Sequence, residues 1–307
     1  MTGLRPLLLN LDGALVAQTE FLAHAREEGA RTIEAADLGP SLRLWTRPPA
    51  FAELRHRLRE TPTNGGDIVF AGSGDFHHVT LLLLSRAIEA ASDPPTTLLH
   101  FDNHPDWVKF DNGVHCGSWA ARATRLQGVH SVLSVGLCSN DLDASRRTEA
   151  DLSIFGDGVV QVFPFHAPGG AASLRVCGRE WPSIAALGED AFADLLAEQI
   201  ETPALYITVD KDVLRGEDAV TNWDQGVTRL DFLLRLIERA CGKAKLIGAD
   251  VVGDWSPQRY GRNPNALLKR AEALMDQPWR RPAQPDADRV NARTNLALLR
   301  AFREFGA

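Results

Sequence analysis

Three side chains that can bind a metal ion alternate in the segment Asp102-Asn103-His104-Pro105-Asp106, which follows the apolar run Thr97-Leu98-Leu99. In an extended chain, residues two apart project to the same side, so these three could converge on one point at the end of a buried strand. Two carboxylates and an imidazole suit a hard divalent cation. Acidic turns with one histidine are common, so this pattern alone is only a moderate signal.

Acidic residues and histidines also follow three other strand-like runs. They are Asp75, His77 and His78 after residues 67–71, Asp210 and Asp212 after residues 204–209, and Asp250 and Asp254 around the end of residues 245–252. In sheets of parallel strands, ligands bind outside the carboxyl ends of the strands. A solvated loop would contain more Lys, Ser and Asn, so four such strand ends favour a functional site.

Each group has a simpler explanation when it is taken alone. Asp210-Lys211-Asp212 can be an ordinary turn at a strand end. His77-His78 can lie in the first turn of a helix that begins near Val79 and is capped by Asp75. His115 can be a loop histidine without a role. Only the joint occurrence of these groups argues for chemistry.

Strand-like and helix-like runs alternate along most of the chain, and they must position these residues. The expected strands are 7–11, 67–71, 97–101, 130–137, 158–163, 204–209 and 245–252, and the expected helices are 51–60, 79–91, 190–199 and 229–241. Continuous apolar strands separated by helices are typical of a parallel sheet covered on both faces. We therefore expect a three-layer α/β/α domain with a mostly parallel sheet over residues 1–276. Residues 277–307 are expected to form a surface connection (277–288) and a last helix (about 290–305) packed on the same domain.

Composition excludes several classes of protein. A chain of 307 residues with 44% hydrophobic content can build one large α/β domain or two smaller ones. The net charge of −7 and the scattered Lys and Arg residues give no basic face for nucleic acid. No apolar run approaches the roughly 18 residues that cross a bilayer, and the first residues do not resemble a signal peptide. The cysteines form no C-x-x-C pair, which fits a reducing cytosol. We expect a cytoplasmic protein with a small-molecule substrate and with neither a nucleic acid nor a membrane as partner.

Taken together, the motifs resemble those of the ureohydrolase superfamily, the arginases and agmatinases. That family has a G-G-D-H-type motif, then D-A-H-x-D, then S-x-D-x-D. The counterparts in this chain follow in the same order: Gly72-Ser73-Gly74-Asp75-Phe76-His77-His78, Asp102-Asn103-His104-Pro105-Asp106 and Thr208-Val209-Asp210-Lys211-Asp212. The match covers about residues 65 to 257.

The resemblance implies an arginase-like fold and two Mn²⁺ ions at the carboxyl ends of the strands. By this resemblance, Asp102 and Asp210 would bridge the two ions. Asp106 and either His77 or His78 would complete one site, and His104 and Asp212 would complete the other. The first motif is one residue longer than in the family, so either histidine could be the ligand, and His77 is preferred. Homo-oligomers are common in the family, although nothing in this sequence marks an interface.

The expected chemistry follows from this ligand set. Carboxylates and imidazoles packed into one crevice repel each other when no cation is bound. Two divalent cations remove the repulsion and lower the pKa of a water molecule, which can then attack a trigonal carbon that bears nitrogen. The expected function is hydrolysis of a C–N bond in a small guanidino, amidino or amide compound. His115 resembles the family's histidine downstream of the second motif, which implies proton transfer or substrate contact, and Asp106 is a further catalytic candidate.

One departure from the family concerns the substrate. The family's late strand ends in D-V-V-E-x-x-P, where the Glu grips a guanidinium group, but this chain reads Asp250-Val251-Val252-Gly253-Asp254-Trp255-Ser256-Pro257. Asp254 comes one residue later, and a bend at Gly253 could bring it to the substrate, which makes it a third catalytic candidate. Arginase activity itself is therefore not expected.

Two other functions fit the same residues. One is an arginase-like protein that has lost catalysis and acts as a binding protein. The other is a deacetylase-like amidohydrolase with a single Zn²⁺ held by Asp102, His104 and Asp210. The presence of Asp106, Asp212 and the histidine pair argues against a single zinc ion.

Overall fold

The described residues, 3–63, 65–262, 265–278 and 282–306 of the computed structural model, form alternating strands and helices. The strands are β1 (Arg5–Asn10), β2 (Arg31–Glu34), β3 (Trp45–Thr46), β4 (Asp67–Phe70), β5 (Thr96–Phe101), β6 (Val114–His115), β7 (Val129–Leu137), β8 (Val160–Pro164), β9 (Ser173–Val176), β10 (Arg179–Pro182), β11 (Ala204–Asp210) and β12 (Lys245–Val252). The helices are α1 (Thr19–Glu27), α2 (Gly39–Leu42), α3 (Pro48–Glu60), α4 (Thr80–Ala90), α5 (Trp119–Ala123), α6 (Ile184–Leu187), α7 (Glu189–Glu198), α8 (Leu230–Cys241), α9 (Asn265–Asp276) and α10 (Gln284–Phe305). Short 3-10 helices at Gly74–Val79, Cys116–Ser118 and Lys211–Val213 lie at the ends of strands that carry the predicted motifs.

The order of the strands creates a crevice at one edge of the sheet. The central sheet has the order β2-β1-β4-β12-β11-β5-β7-β8, and all neighbouring strands in it are parallel. β4 and β5 follow each other along the chain, but β12 and β11 lie between them in the sheet. Such a change in strand order leaves room for a ligand outside the carboxyl ends of the strands. The predicted motifs after β4, β5 and β11 all lie at this edge.

Helices cover the apolar strands. β5 and β11 are buried along their whole length, as expected for parallel strands that lie between two helical layers. α4 and α5 contact each other, whereas α1, α10, α8 and α7 form a second connected group. The predicted three-layer α/β/α fold with a parallel sheet is confirmed. No helix in the described ranges combines the length and the apolar character needed to cross a membrane.

The C-terminal part differs from the prediction in two ways. α10 begins at Gln284 rather than near residue 290, and Pro285 in its first turn suits a helix start because its missing N–H needs no partner there. α9 was not predicted, because the leucines at 267, 268 and 274 face solvent rather than the core and give no amphipathic signal. Residues 279–281 of the predicted connection lie outside the described residues. The domain division at residue 276 stays a prediction.

Candidate metal centre

The Nδ1 atom of His77 faces three carboxylates. It lies 3.0 Å from Oδ2 of Asp102, 3.3 Å from Oδ2 of Asp106 and 3.6 Å from Oδ2 of Asp210, and it has no hydrogen-bond partner of good geometry among the described residues. On the other side of the ring, Nε2 lies 2.9 Å from the hydroxyl of Thr208, which donates its own proton to Asp250. The hydroxyl must therefore accept from Nε2–H, so neutral His77 points a bare lone pair at the carboxylates. Burial lowers the pKa of His77, but Asp102 and Asp106 outweigh it and raise that pKa well above its usual value, so without metal a proton on Nδ1 stabilises the cluster. A bound metal ion would take the place of this proton.

His104 is held in the same way in a second group. Its Nδ1 lies 3.0 Å from Oδ2 of Asp212 and 3.5 Å from Oδ1 of Asp102. Its Nε2 donates to Asp224 at 2.9 Å. Nδ1 also hydrogen-bonds to Asp212, and a carboxylate only accepts, so without metal the ring carries a proton on Nδ1 as well. Burial lowers the pKa of His104, but the charge of Asp212 and the hydrogen bonds to Asp102, Asp212 and Asp224 outweigh it and hold that pKa well above its usual value. Two groups of potential metal ligands result, one with His77, His100, Asp102 and Asp106 and one with Asp102, His104 and Asp212. Asp102 belongs to both groups.

Two similar turns explain the spacing of the ligands. Oδ1 of Asp102 accepts from the backbone N–H of His104 at 2.6 Å, and Oδ1 of Asp210 accepts from the N–H of Asp212 at 3.1 Å. Each aspartate thus fixes the turn that aims the side chain two residues later. Oδ1 of Asp212 then accepts from the N–H of Asn103 at 3.0 Å, which ties the turn after β11 to the turn after β5.

The carboxylates are under electrostatic strain. Burial, together with the negative charge of Asp102, raises the pKa of Asp210 to about 7. The same two causes raise the pKa of Asp106 and hold that of Asp212 well above its usual range. Burial acts on Asp102 as well, but hydrogen bonds from His100, His104 and His77 outweigh it and hold the pKa of Asp102 well below the usual value. Divalent cations would remove this strain, so the donor set fits two of them.

The cluster opens into a cavity of about 550 Å³, whose wall includes His115 and Glu272. His115 lies in β6, which pairs with β3. Its Nδ1 accepts from the backbone N–H of Gly117 at 2.8 Å, so the ring proton is on Nε2 and is donated to Glu272 of α9. The predicted residues His77, Asp102, His104, Asp106, Asp210, Asp212 and His115 all line this cavity.

Two predicted site residues lie elsewhere. His78 is buried, its ring stacks on Phe51 at 6.0 Å between centroids, and neither ring nitrogen has a hydrogen-bond partner among the described residues. Burial and the nearby His115 hold the pKa of His78 well below its usual value, so it is a neutral packing residue. Asp254 is also buried, but it pairs with Lys211 instead of facing the cavity. The expected bend at Gly253 exists, and it turns Asp254 away from the substrate space.

Three residues of the site were not predicted. His100 donates from Nε2 to Asp102 at 2.9 Å, and the rule that residues two apart share a side could have found it, but it lies inside a strand that was treated as apolar. Asp224 lies in a loop and Glu272 lies in α9, and each is more than 100 residues from the histidine that it contacts. Nothing in the local sequence around these two residues indicates a site.

The comparisons with known proteins concern the fold. The sequence matches no family model, and no curated protein matches it significantly. Among solved structures, a hypothetical agmatinase from Burkholderia thailandensis is similar, with a TM-score of 0.57, 17% identity, and coverage of 98% of this chain and 86% of that protein. The proclavaminate amidino hydrolase from Streptomyces clavuligerus is also similar, with a TM-score of 0.53, 15% identity, and coverage of 96% of this chain and 94% of that protein.

The arginase from Bacillus caldovelox gives a TM-score of 0.53 and 13% identity, with coverage of 89% of this chain and 97% of the arginase. Identities this low establish the fold alone. The resemblance that the motifs predicted is thus confirmed at the level of structure, over nearly the whole chain. This chain therefore has the fold of the ureohydrolase superfamily, the arginases and agmatinases, in a divergent sequence.

Proposed function

We propose that this protein is a hydrolase that uses two Mn²⁺ ions to cleave a C–N bond of a small guanidino, amidino or amide compound. One observation carries the proposal: the Nδ1 atoms of His77 and His104 each face buried carboxylates, and the two groups share Asp102. The similar folds of an agmatinase, an arginase and an amidino hydrolase support the reaction class.

The residues divide between two ions. His77, Asp102, Asp106 and Asp210 would hold one ion, and Asp102, His104, Asp210 and Asp212 would hold the other. Carboxylate and imidazole ligands suit Mn²⁺, whereas thiolate ligands select softer metal ions. When bound, two such cations neutralise the carboxylates, polarise a substrate carbonyl or amidine and lower the pKa of water towards neutral pH.

The chain's own groups would handle the protons and the orientation of the ligands. Asp224 and Thr208 fix the tautomers of His104 and His77 through the second ring nitrogen. His115 lies at the cavity wall and donates its Nε2–H to Glu272. As an imidazolium it would pass a proton to a departing amine and return to the neutral ring. Asp254 has no part in this proposal, because Lys211 neutralises it away from the cavity.

Metal analysis tests the proposal directly. Protein purified with Mn²⁺ should hold close to two ions per chain, and Asp102→Ala or Asp210→Ala should abolish this binding. Asp111→Asn, at an exposed carboxylate outside the cavity, is the matched control. No bound metal at saturating Mn²⁺ would contradict the proposal and favour a binding protein. One tightly bound Zn²⁺ would favour the deacetylase-like alternative.

The reaction is then identified by a screen of the Mn²⁺-loaded protein. Guanidino, amidino and N-acyl compounds are supplied, and the release of urea, ammonia or amine is measured. Activity that disappears in the Asp210→Ala variant and persists in the Asp111→Asn variant is the expected result. The proposal includes a cytoplasmic location, which the four free cysteines support.

A further inference from the structure

The outer part of the cavity carries excess negative charge. Besides the four aspartates of the metal cluster, its wall contains five carboxylates and, among the described residues, a single arginine, Arg146. The five are Asp141, Glu149, Asp224, Glu272 and Asp276. Two divalent cations would neutralise the four aspartates of the metal cluster, which leaves these five carboxylates outside that balance. Asp224 accepts from His104, and Asp141 lies 4.0 Å from Arg146.

Glu272 is the most constrained of the five. Its Oε1 accepts from Nε2–H of His115, and its Oε2 accepts from the indole N–H of Trp45 at 2.9 Å. Both donors are neutral in this arrangement, because the Nδ1 of His115 accepts a backbone N–H. In the described part of the chain, no Lys or Arg pairs with Glu272, and Lys269 of the same helix donates to the backbone of Pro40 and Ser41 instead. Glu272 is therefore a partly buried carboxylate held by N–H donors, and among the described residues it forms no ion pair with Lys or Arg, although its charge acts on nearby Lys269.

Glu272 lies next to the metal cluster but is separate from it. A Cβ atom placed at Gly117 would lie 3.2 Å from Nδ1 of His115 and 3.9 Å from Oδ1 of Asp106. The imidazole of His115 thus lies between Asp106 on one side and Glu272 on the other. A substrate whose reacting carbon faces the cluster would bring its neighbouring groups towards Glu272.

We propose that Glu272 determines substrate specificity by binding a positively charged nitrogen of the substrate. The inference rests on the proposed function, because the cavity is taken as the substrate site. The N–H of His115 occupies Oε1 in the free protein, and a cationic N–H would bind the same carboxylate more strongly, because it adds the attraction between two full charges to the hydrogen bond. Glu272 and His77 line the same cavity, so a substrate that reaches the metal centre also reaches Glu272.

The test compares two probes with the same alkyl chain and different head groups, the cation of butylamine and the neutral alcohol butanol. Their dissociation constants are measured by NMR titration for wild type, Glu272→Gln, Glu272→Asp and Glu198→Gln, and the Mn²⁺ content of each sample is measured in parallel. Glu198 is exposed on α7 outside the cavity, so its variant is a matched control for loss of one carboxylate.

Wild type should bind butylamine about tenfold more tightly than butanol, and Glu272→Gln should remove this preference. Glu272→Asp should keep most of it, and Glu198→Gln should keep all of it. Equal affinity of wild type for both probes, or an unchanged preference in Glu272→Gln, overturns the inference. Failure of the proposed function is distinguishable, because it shows as missing Mn²⁺ whatever the probes do.

Discussion

The ammonium group of Lys211 lies 2.6 Å from Oδ1 of Asp254, and both side chains are buried. Lys211 also donates to Asn295 of α10 at 2.9 Å, and Asp254 accepts from Gln18 at 2.7 Å. The pair therefore ties the turn after β11 to the segment after β12 and to the C-terminal helix. Neither side chain lines the cavity.

Asp254→Asn should destabilise the protein without removing its metal. The substitution leaves the charge of Lys211 buried and unpaired, and breaking a buried ion pair in this way costs about 3 kcal/mol or more. Chemical denaturation measures the loss, and the double variant Lys211→Met with Asp254→Asn should recover part of it. Unchanged stability together with lost activity would instead give Asp254 the substrate role that its place in the sequence suggested.

His100 should tune metal affinity through Asp102. Its Nε2 donates to Oδ2 of Asp102, and its Nδ1 lies 3.0 Å from the hydroxyl of Ser134, so the ring is fixed from both ends. Removing such a partner of a ligand typically weakens metal binding by about 10- to 100-fold. His100→Ala should therefore bind Mn²⁺ more weakly by about this factor, as measured by calorimetric titration. His130→Ala, at an exposed histidine of β7, should bind like wild type, and equal affinities for the two variants would contradict the assignment.

Trp223 should orient His104. The two rings meet edge to face at 5.7 Å, and the indole N–H donates to Oδ1 of Asp75 at 2.9 Å. Asp75 is itself buried against Arg43 and Gln277, so the indole is held from behind. Trp223→Phe loses only the hydrogen bond and should cost about 1 kcal/mol of stability. Trp223→Ala also loses the ring and should weaken Mn²⁺ binding about tenfold, whereas wild-type affinity in that variant would exclude the role.

The sequence predicts seven of the eight strands of the central sheet, because these are mainly apolar runs. It does not predict β2 or the short strands outside that sheet, β3, β6, β9 and β10. The predicted bounds of β12 agree with the structure, and those of β5 differ by one residue. The residues on the turns after β5 and β11 were also predicted, since each turn is fixed locally by an aspartate and an N–H two residues on. Glu272 and Asp224 could not be predicted, because their positions depend on packing between segments more than 100 residues apart.

Stability without metal should fall as the pH rises towards neutrality. The pKa of Asp210 is raised from 3.8 to about 7, mainly by burial and then by Asp102. Between these two values the unfolded chain releases the proton and the folded chain keeps it, so the free energy of unfolding decreases with pH across this window. His77, whose pKa is raised well above 6.5 because its contacts with Asp102 and Asp106 outweigh burial, acts in the same direction at higher pH.

Melting temperatures at about pH 5 and about pH 7.5, with and without Mn²⁺, check this dependence. The metal-free protein should melt lower at the higher pH, and Mn²⁺ should stabilise it more there, since the ligands must be deprotonated to bind. In Asp210→Asn, the melting temperature of the metal-free protein should fall less between the two pH values. A metal-free melting temperature that rises over this range would contradict the raised pKa of Asp210.

A side chain introduced at position 253 should weaken Mn²⁺ binding rather than produce arginase activity. Gly253 has φ +94°, and a Cβ atom there would lie 2.5 Å from Oδ1 of Asp210 and 2.6 Å from the backbone nitrogen of Lys211. Both Gly253→Ala and Gly253→Glu should therefore displace Asp210 and weaken Mn²⁺ binding by about tenfold or more. A tenfold loss corresponds to about 1.4 kcal/mol of binding free energy. Gly188→Ala controls for backbone strain alone, because Gly188 has φ +84° and nothing within 4 Å of the added Cβ, so it should lose stability but keep its metal. Arginase activity in Gly253→Glu would show that the turn after β12 can rearrange and that Gly253 alone separates this chain from the arginases.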